Sequence, residues 1–228
     1  MPLLELQQVT KSYGPSGKTT PPVLDRISLM LDPGEALGMT GPSGSGKTTL
    51  ARLILGIEKP DSGRILFQEN PVTDPRGRVS RRYYSRVQII WQDPAGFLNP
   101  FLPVLSSIME PMAAFDMGNA ADRRTRAYEL MEMMALPPAL AHHKPGQLSG
   151  GQCQRVAMAR ALSVSPALLI CDEALVSLDL PQQVTLIRLL KKMQKELNLS
   201  LLFISHDKDT VKALCPRVIS LASPGRTR

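Results

Sequence analysis

Aromatic side chains are scarce in this chain of 228 residues, at 4 % of the total with a single tryptophan, Trp91. The net charge of +7 comes from scattered cations with few aromatics interleaved, which argues against a nucleic-acid partner. Solvation, or a position beside an anionic membrane, accounts for it as well. Cysteine is equally sparse: Cys153, Cys171 and Cys215 are odd in number, far apart and without metal-ligand spacing. That excludes a disulfide framework and reads as reduced thiols in the cytosol. No apolar run approaches the roughly 18 residues a spanning helix needs. The opening Met1-Pro2-Leu3-Leu4-Glu5 has no basic region followed by a long apolar stretch, so no signal peptide is expected. The 43 % hydrophobic and 21 % charged fractions are those of a globular protein, most simply one domain carrying an insert.

What the chain does have is a glycine-rich stretch, Gly41-Pro42-Ser43-Gly44-Ser45-Gly46-Lys47-Thr48-Thr49. It fits G-x-x-x-x-G-K-[ST] and lies between an apolar run, Ala36 to Thr40, and a helix-like run, Leu50 to Ile57. Strand, loop and helix in that order make a P-loop, not a flexible turn. Backbone N–H groups then point inward at a helix N-terminus, where the dipole favours phosphate oxygens. Lys47 would reach the β- and γ-phosphates, and the Thr48 hydroxyl would ligate Mg²⁺.

Around that loop, Leu3 to Val9 and Val23 to Leu31 alternate as half-buried strands, separated by a Gly/Pro/Thr-rich break at Gly14 to Pro22. They predict an antiparallel layer. Tyr13, just after the first strand, is placed either to stack on an adenine or to be a plain turn tyrosine. Arg64 to Gln68 returns as a short strand, and Asn70 to Arg82 is polar, with Pro71, Pro75 and Gly77, and reads as a loop. Arg86 to Trp91 is an apolar strand that ends at Gln92. An amide at a strand's carboxyl edge faces the crevice where α/β sheets bind ligands. Gln92 would there touch Mg²⁺ or the attacking water; otherwise it is a surface residue before a turn.

From Leu102 to Leu140 the apolar spacing turns helical, with Ile108, Met109, Met112, Tyr128, Leu130, Met131, Met133, Met134 and Leu136, broken at Pro137-Pro138. The methionines suit a docking face or ordinary core filling. His142-His143 reads as an exposed turn. Leu148-Ser149-Gly150-Gly151-Gln152 precedes a helix from Arg155 to Ser163. It is a second small-residue helix tip, placed to meet another subunit's nucleotide, or else a simple N-cap. Ala167 to Cys171 is a continuous apolar strand ending at Asp172-Glu173. Asp172 would hold Mg²⁺ through water, and Glu173 is the candidate general base. Gln183 to Leu197 is amphipathic, with Val184, Ile187, Leu190, Met193 and Leu197 on one side. Leu199 to Ile204 is a further buried strand running into Ser205-His206, where the imidazole can reach a γ-phosphate. Val218 to Leu221 is a last strand, and Ser223 to Arg228 is a loose basic tail.

Taken together, Gly41 to Thr48, Gln92, Leu148 to Gln152, Asp172-Glu173, Asp179 and His206 resemble the ATP-binding subunits of ABC transporters, over nearly the whole chain. The resemblance implies an α/β P-loop NTPase with a mostly parallel core sheet, an antiparallel β layer and a helical subdomain. Residues 1–92 and 153–228 would form the core with its β layer, and 93–152 the helical part. It implies ATP and Mg²⁺, hydrolysis coupled to transport, and a head-to-tail dimer with two shared nucleotides. Tyr13 would stack on adenine, while Gly41 to Thr49 holds phosphate and Mg²⁺ and Gln92 senses the nucleotide. Ser149 and Gly151 would contact the γ-phosphate in trans, within a nucleotide-binding tip that includes Gly150 and Gln152. Asp172 would support Mg²⁺, Glu173 activate water, Asp179 lie at the dimer seam and His206 hold the γ-phosphate. Partners implied are a second, different ATPase subunit, two permeases and an extracytoplasmic solute-binding protein, at the cytoplasmic face of the inner membrane.

Val87 to Pro94 with Leu98-Asn99-Pro100 is similar to the oligopeptide, dipeptide and nickel importer branch. Glu173-Ala174 and Leu189-Leu190-Lys191-Lys192 are more similar to its nickel or metal-chelate members, so nickel ranks first as cargo and short peptides second. An ATPase of a soluble complex such as the carbon–phosphorus lyase machinery, and a subunit that binds ATP without hydrolysing it, are the rivals. A DNA-associated relative would need a long coiled-coil insertion with heptads, and the sequence has none. Three departures stand out. Val176 occupies the family's serine position, Cys153 follows the signature, and the chain stops soon after His206, so the C-terminal extension of many peptide importer subunits is expected to be missing.

Overall fold

The computed structural model describes residues 1–14, 21–175 and 178–221. Its strands run, in chain order, β1 (Leu4–Lys11), β2 (Leu24–Leu31), β3 (Ala36–Thr40), β4 (Ser62–Phe67), β5 (Asn70–Pro71), β6 (Val87–Ile90), β7 (Leu168–Asp172), β8 (Ser200–Ile204) and β9 (Arg217–Ser220). The helices are α1 (Lys47–Ile54), α2 (Arg81–Arg86), α3 (Pro94–Phe97), α4 (Val104–Ala114), α5 (Ala120–Met133), α6 (Gly150–Leu162), α7 (Leu180–Leu197) and α8 (Lys208–Leu214). Alternation in β1 and β2 produces an antiparallel sheet of order β2-β1-β4-β5. The apolar runs produce a parallel sheet of order β6-β7-β8-β3-β9.

The parallel strands are apolar on both faces because each face has its own core. Leu168 and Ile170 of β7, with Leu202 and Ile204 of β8, join α1 and the antiparallel sheet in one cluster. Leu169 and Cys171, with Leu201 and Phe203, join α4, α5, α6 and α7 in the other. Successive side chains leave a strand on opposite faces, so a strand walled in on both sides has no polar alternate.

The methionines of the helical segment are mostly core: Met112, Met131 and Met134 are buried, and Met109 and Met133 pack partly against the same cluster. His142 and His143 lie in and just after a 3-10 turn, Pro138–His142, and the backbone amide of Val104 donates to the His143 carbonyl at 2.9 Å. All three cysteines are free thiols and buried.

Several elements differ from the sequence reading. The expected loop from Asn70 to Arg82 contains β5 and ends in the start of α2. Ser80 caps α2 by accepting from the Tyr83 amide at 3.1 Å. Tyr83 is buried with its hydroxyl on the Ile54 carbonyl, so one buried aromatic outweighs a polar stretch of sequence. The helix expected from Arg155 starts at Gly150, because the Ser149 and Gln152 side chains close a capping box around its first turn. On α7 the buried stripe is Leu186, Leu190 and Met193, while Val184 and Leu197 are exposed. Finally, α8 arises from a short polar stretch that shows little periodicity but has an N-cap, Asp207, whose carboxylate accepts from the Asp209 amide at 3.0 Å. The expectations for the 14–22 break, the position of Val176 and the basic tail fall wholly or partly outside the described residues.

Candidate functional site

The sheet order brings the separate motifs to one edge. Register pairs Ile90 with Cys171, Asp172 with Ile204, and Met39 with Ile204. Gln92, Asp172-Glu173, Ser205-His206 and Gly41 therefore leave the carboxyl ends of four adjacent strands, where parallel sheets bind their ligands.

Between β3 and α1 the loop folds back on itself, with the Ser45 amide donating to the Pro42 carbonyl at 3.2 Å. Gly46 is the N-cap of α1 at φ 91°, and no side chain caps the helix. A Cβ there would lie 2.7 Å from Leu24 Cδ2, so glycine is required twice over, by conformation and by space. The uncapped first turn of α1 leaves backbone donors for an anion. Pro42, Ser43 and Gly44 form the exposed crest, and Thr48 is exposed just inside it. Thr49 is half-buried.

Lys47 is 8 % exposed, and its ammonium donates to the Gly41 and Pro42 carbonyls at 2.9 and 3.0 Å. Both acceptors are neutral, and one of the three N–H donors remains. Ser45 Oγ is buried with no hydrogen-bond partner among the described residues. Asp172, 3 % exposed, likewise has Oδ1 without a partner. Burial raises its carboxyl above the usual carboxylate range and the nearby Glu173 adds to that. The Thr48 hydroxyl and the charges of Lys47 and Arg52 pull it back. A buried oxygen acceptor beside a threonine hydroxyl and an uncapped phosphate cradle fits a hard divalent cation. The residues present suit Mg²⁺ with a nucleotide.

At the ends of β7 and β8, Glu173 occupies the left-handed region at φ 52°. Such a conformation in a non-glycine residue costs on the order of 1–3 kcal/mol and persists only where its surroundings enforce it. Here the Glu173 amide donates to the Ile204 carbonyl at 2.9 Å, and its Oε2 lies 2.9 Å from His206 Nδ1 and 3.5 Å from Ser205 Oγ. The Glu173 side chain is 14 % exposed and that of His206 57 %. Sequence reasoning assigned these two residues separate tasks; the structure joins them. It did not single out Ser205, although a hydroxyl at the end of an apolar strand, next to a candidate histidine, was a readable signal.

Tyr13 is exposed, with its hydroxyl on the Glu58 carboxylate and the Lys11 ammonium 5.5 Å from the ring centre. Glu58, which fixes the ring near the P-loop helix, had no sequence signal. Ser149 and Gly150 are exposed at the tip of α6, and a Cβ at Gly150 would meet nothing within 4 Å. Their surface is open to a second molecule. Gln152 is engaged in the capping box, its Oε1 accepting from the Ser149 amide at 2.8 Å. Asp179 caps α7, accepting from the Gln182 amide at 2.9 Å. The α6 tip and the α7 cap adjoin, since a Cβ on Gly151 would lie 2.6 Å from Gln182 Oε1. Gln92 is exposed.

This geometry has counterparts. The family described as ABC transporter matches residues 24–176. A Brucella ovis protein, named for peptide import and ATP binding, is 37 % identical over 220 residues, covering 96 % of this chain and 69 % of its own length. The cassette MJ0796, described as a bacterial ABC transporter cassette in dimeric form, superposes with TM-score 0.85 at 30 % identity, over 96 % of this chain and 94 % of its own. The same cassette in a post-hydrolysis state with ADP and Pi gives 0.84 at 29 % identity, over 98 % and 97 %. The chain therefore belongs to the ABC transporter family as an ATP-binding, ATP-hydrolysing cassette.

Proposed function

We propose that the chain powers an ABC importer from the cytoplasmic face of the membrane, and that its cargo is a short peptide. The observation that carries this reading is the 37 % identity, over 96 % of this chain, to a relative named for peptide import. That naming reverses the order suggested by Glu173-Ala174 and Leu189 to Lys192, which put nickel or a metal chelate first. No described helix is long and apolar enough to cross a membrane, so the pathway would belong to two permease subunits, fed by a solute-binding protein.

In the proposed reaction Lys47 and the amides from Gly41 to Thr49 hold the β- and γ-phosphates. Thr48 and Asp172 would hold Mg²⁺, with Gln92 at its margin; when bound, the cation neutralises charge developing on the phosphates. Glu173 orients water and accepts its proton, and His206 holds Glu173 in place while reaching the γ-phosphate. Tyr13 stacks on adenine. Ser149 to Gln152 completes the second nucleotide's site in a partner cassette, with Asp179 beside the seam. The partner is a different chain in this reading. Residues 93–152 form the helical part that turns against the core formed by 1–92 and 153–228, and that turn carries the stroke to the permeases.

The test is ATPase activity of the complex assembled with its permeases and receptor in lipid. Stimulation by a receptor loaded with di- or oligopeptides, and none by nickel or its chelates, is the expected result. Stimulation by nickel alone would restore the metal reading. Co-purification with soluble enzymes, and with no permease, would overturn the importer altogether.

A further inference from the structure

An apolar cavity of about 420 Å³ opens where the end of α5, the first turns of α6 and one side of α7 meet. Its size lies within the range of small-molecule sites, about 300–1,000 Å³. Met133, Met134, Leu178, Leu186 and Leu189 supply the apolar wall, and the unbranched methionine side chains let it adapt to a guest's shape. Three cations line the same cavity: Arg155 from α6, and Arg188 and Lys192 from α7, one helical turn apart. No Asp or Glu lines it among the described residues.

Those cations are poorly neutralised. Among the described residues Arg155 donates only to carbonyls, those of Gly151 at 3.2 Å and Ala135 at 3.3 Å. Among the described residues Arg188 has no carboxylate within 4.0 Å, and Lys192 has only Glu196, at 3.9 Å. We infer that this cavity binds a small amphipathic anion: an apolar chain lodged against the methionines and leucines, with a single carboxylate or phosphate head held by Arg188 and Lys192. A triphosphate has no apolar part to match this wall, and a neutral apolar guest would leave the cations unused.

The position gives such a ligand a task. Gly151 and Gln182 also line the cavity, one in the first turn of α6 and the other bonded through its amide to Asp179. A guest there bears on both segments that the proposed function places at the seam with a partner cassette, and fixes α6 against α7. This consequence for hydrolysis rests on that reading; the binding does not.

Binding is tested on the full chain with methyl-labelled methionine, by following the Met133 and Met134 signals during titration with dodecanoate and with dodecyl phosphate below their micelle concentrations. Selective shifts of those two methyls support the site, and the better of the two probes identifies the head group. Arg188→Glu should weaken binding at least about tenfold, since it removes one charge-assisted contact and sets a carboxylate beside Lys192 that competes with the anionic head, and Thr185→Trp should abolish it by filling the cavity. Both variants should bind a fluorescent ATP analogue like the parent, which separates failure of this site from failure of the nucleotide site. Equal binding of dodecanol or dodecyltrimethylammonium, an unchanged affinity in Arg188→Glu, or no shift at millimolar probe would each overturn the inference. So would a response only to anionic lipid vesicles, or only to an acidic partner helix.

Discussion

Glu173 Oε2 and His206 Nδ1 stand 2.9 Å apart, joined across the ends of two parallel strands. Neither residue then works alone. Glu173→Gln should leave ATP binding intact and slow hydrolysis by about 10²–10⁴-fold, the worth of a positioned base. His206→Ala should also slow it, and the double variant should be scarcely slower than Glu173→Gln, since residues acting as one unit are not additive. Single-turnover hydrolysis in the assembled dimer measures this. Full additivity would separate the two roles again.

Asp172 makes a prediction about stability and pH. Burial raises its carboxyl pKa in the folded chain, so the native state holds that proton more tightly than the unfolded one. Stability from this group is greatest at low pH and is lost as pH rises through the folded pKa. Asp172→Asn should therefore raise the melting temperature of the nucleotide-free protein at pH 7–8, with each kcal/mol worth about 2–4 °C. The gain should shrink towards pH 4. With Mg²⁺ and ATP present the order should invert, because the parent alone keeps the cation's acceptor. Scanning calorimetry with and without nucleotide decides it.

Ser149 and Gly151 separate folding from contact. Ser149→Ala removes the cap on the Gln152 amide and should cost about 1 kcal/mol. Gly151→Ala meets only the far end of the Gln182 side chain, which can swing aside, so stability should hold. ATPase of the assembled dimer should fall in Gly151→Ala while each subunit still binds ATP. A Gly151→Ala dimer with parental turnover would remove α6 from the shared site.

Lys47→Ala should weaken ATP binding by about 2–5 kcal/mol, the usual loss on truncating one partner of a buried charged contact. Equilibrium dialysis reads this directly, and unchanged affinity would contradict the phosphate role.

The thiols should be silent. Burial raises all three, and pushes Cys215 up to about 12. At pH 8 almost no thiolate is present to react. A thiol-disulfide reagent should find none in the native chain and three in denaturant; rapid native labelling would show that a buried cysteine is reached by local opening.

The sequence made the P-loop and the apolar strands plain because each is a short-range pattern. Ala36 to Thr40 and Ala167 to Cys171 are apolar runs, and the glycines between Gly41 and Gly46 have one mechanical use. What it hid are relations that only folding creates. The bond between Glu173 and His206 spans 33 residues of chain, and Tyr13 finds Glu58 across 45. The loop assigned to Asn70 to Arg82 runs into the start of α2 for a related reason: the hydroxyl of Tyr83 reaches Ile54, and no local pattern announces that contact. On α7 the buried stripe shifted to Leu186, Leu190 and Met193 because the neighbouring helices, more than periodicity, chose which side faces inward.

The two-faced strands have a mechanical corollary. Leu168 and Ile170 are anchored in one core and Leu169 and Cys171 in the other, so β7 is a party wall whose rim bears the acid pair. Slackening either chamber tilts that rim, and an alteration tens of residues from the nucleotide can retune hydrolysis without touching any group that meets it.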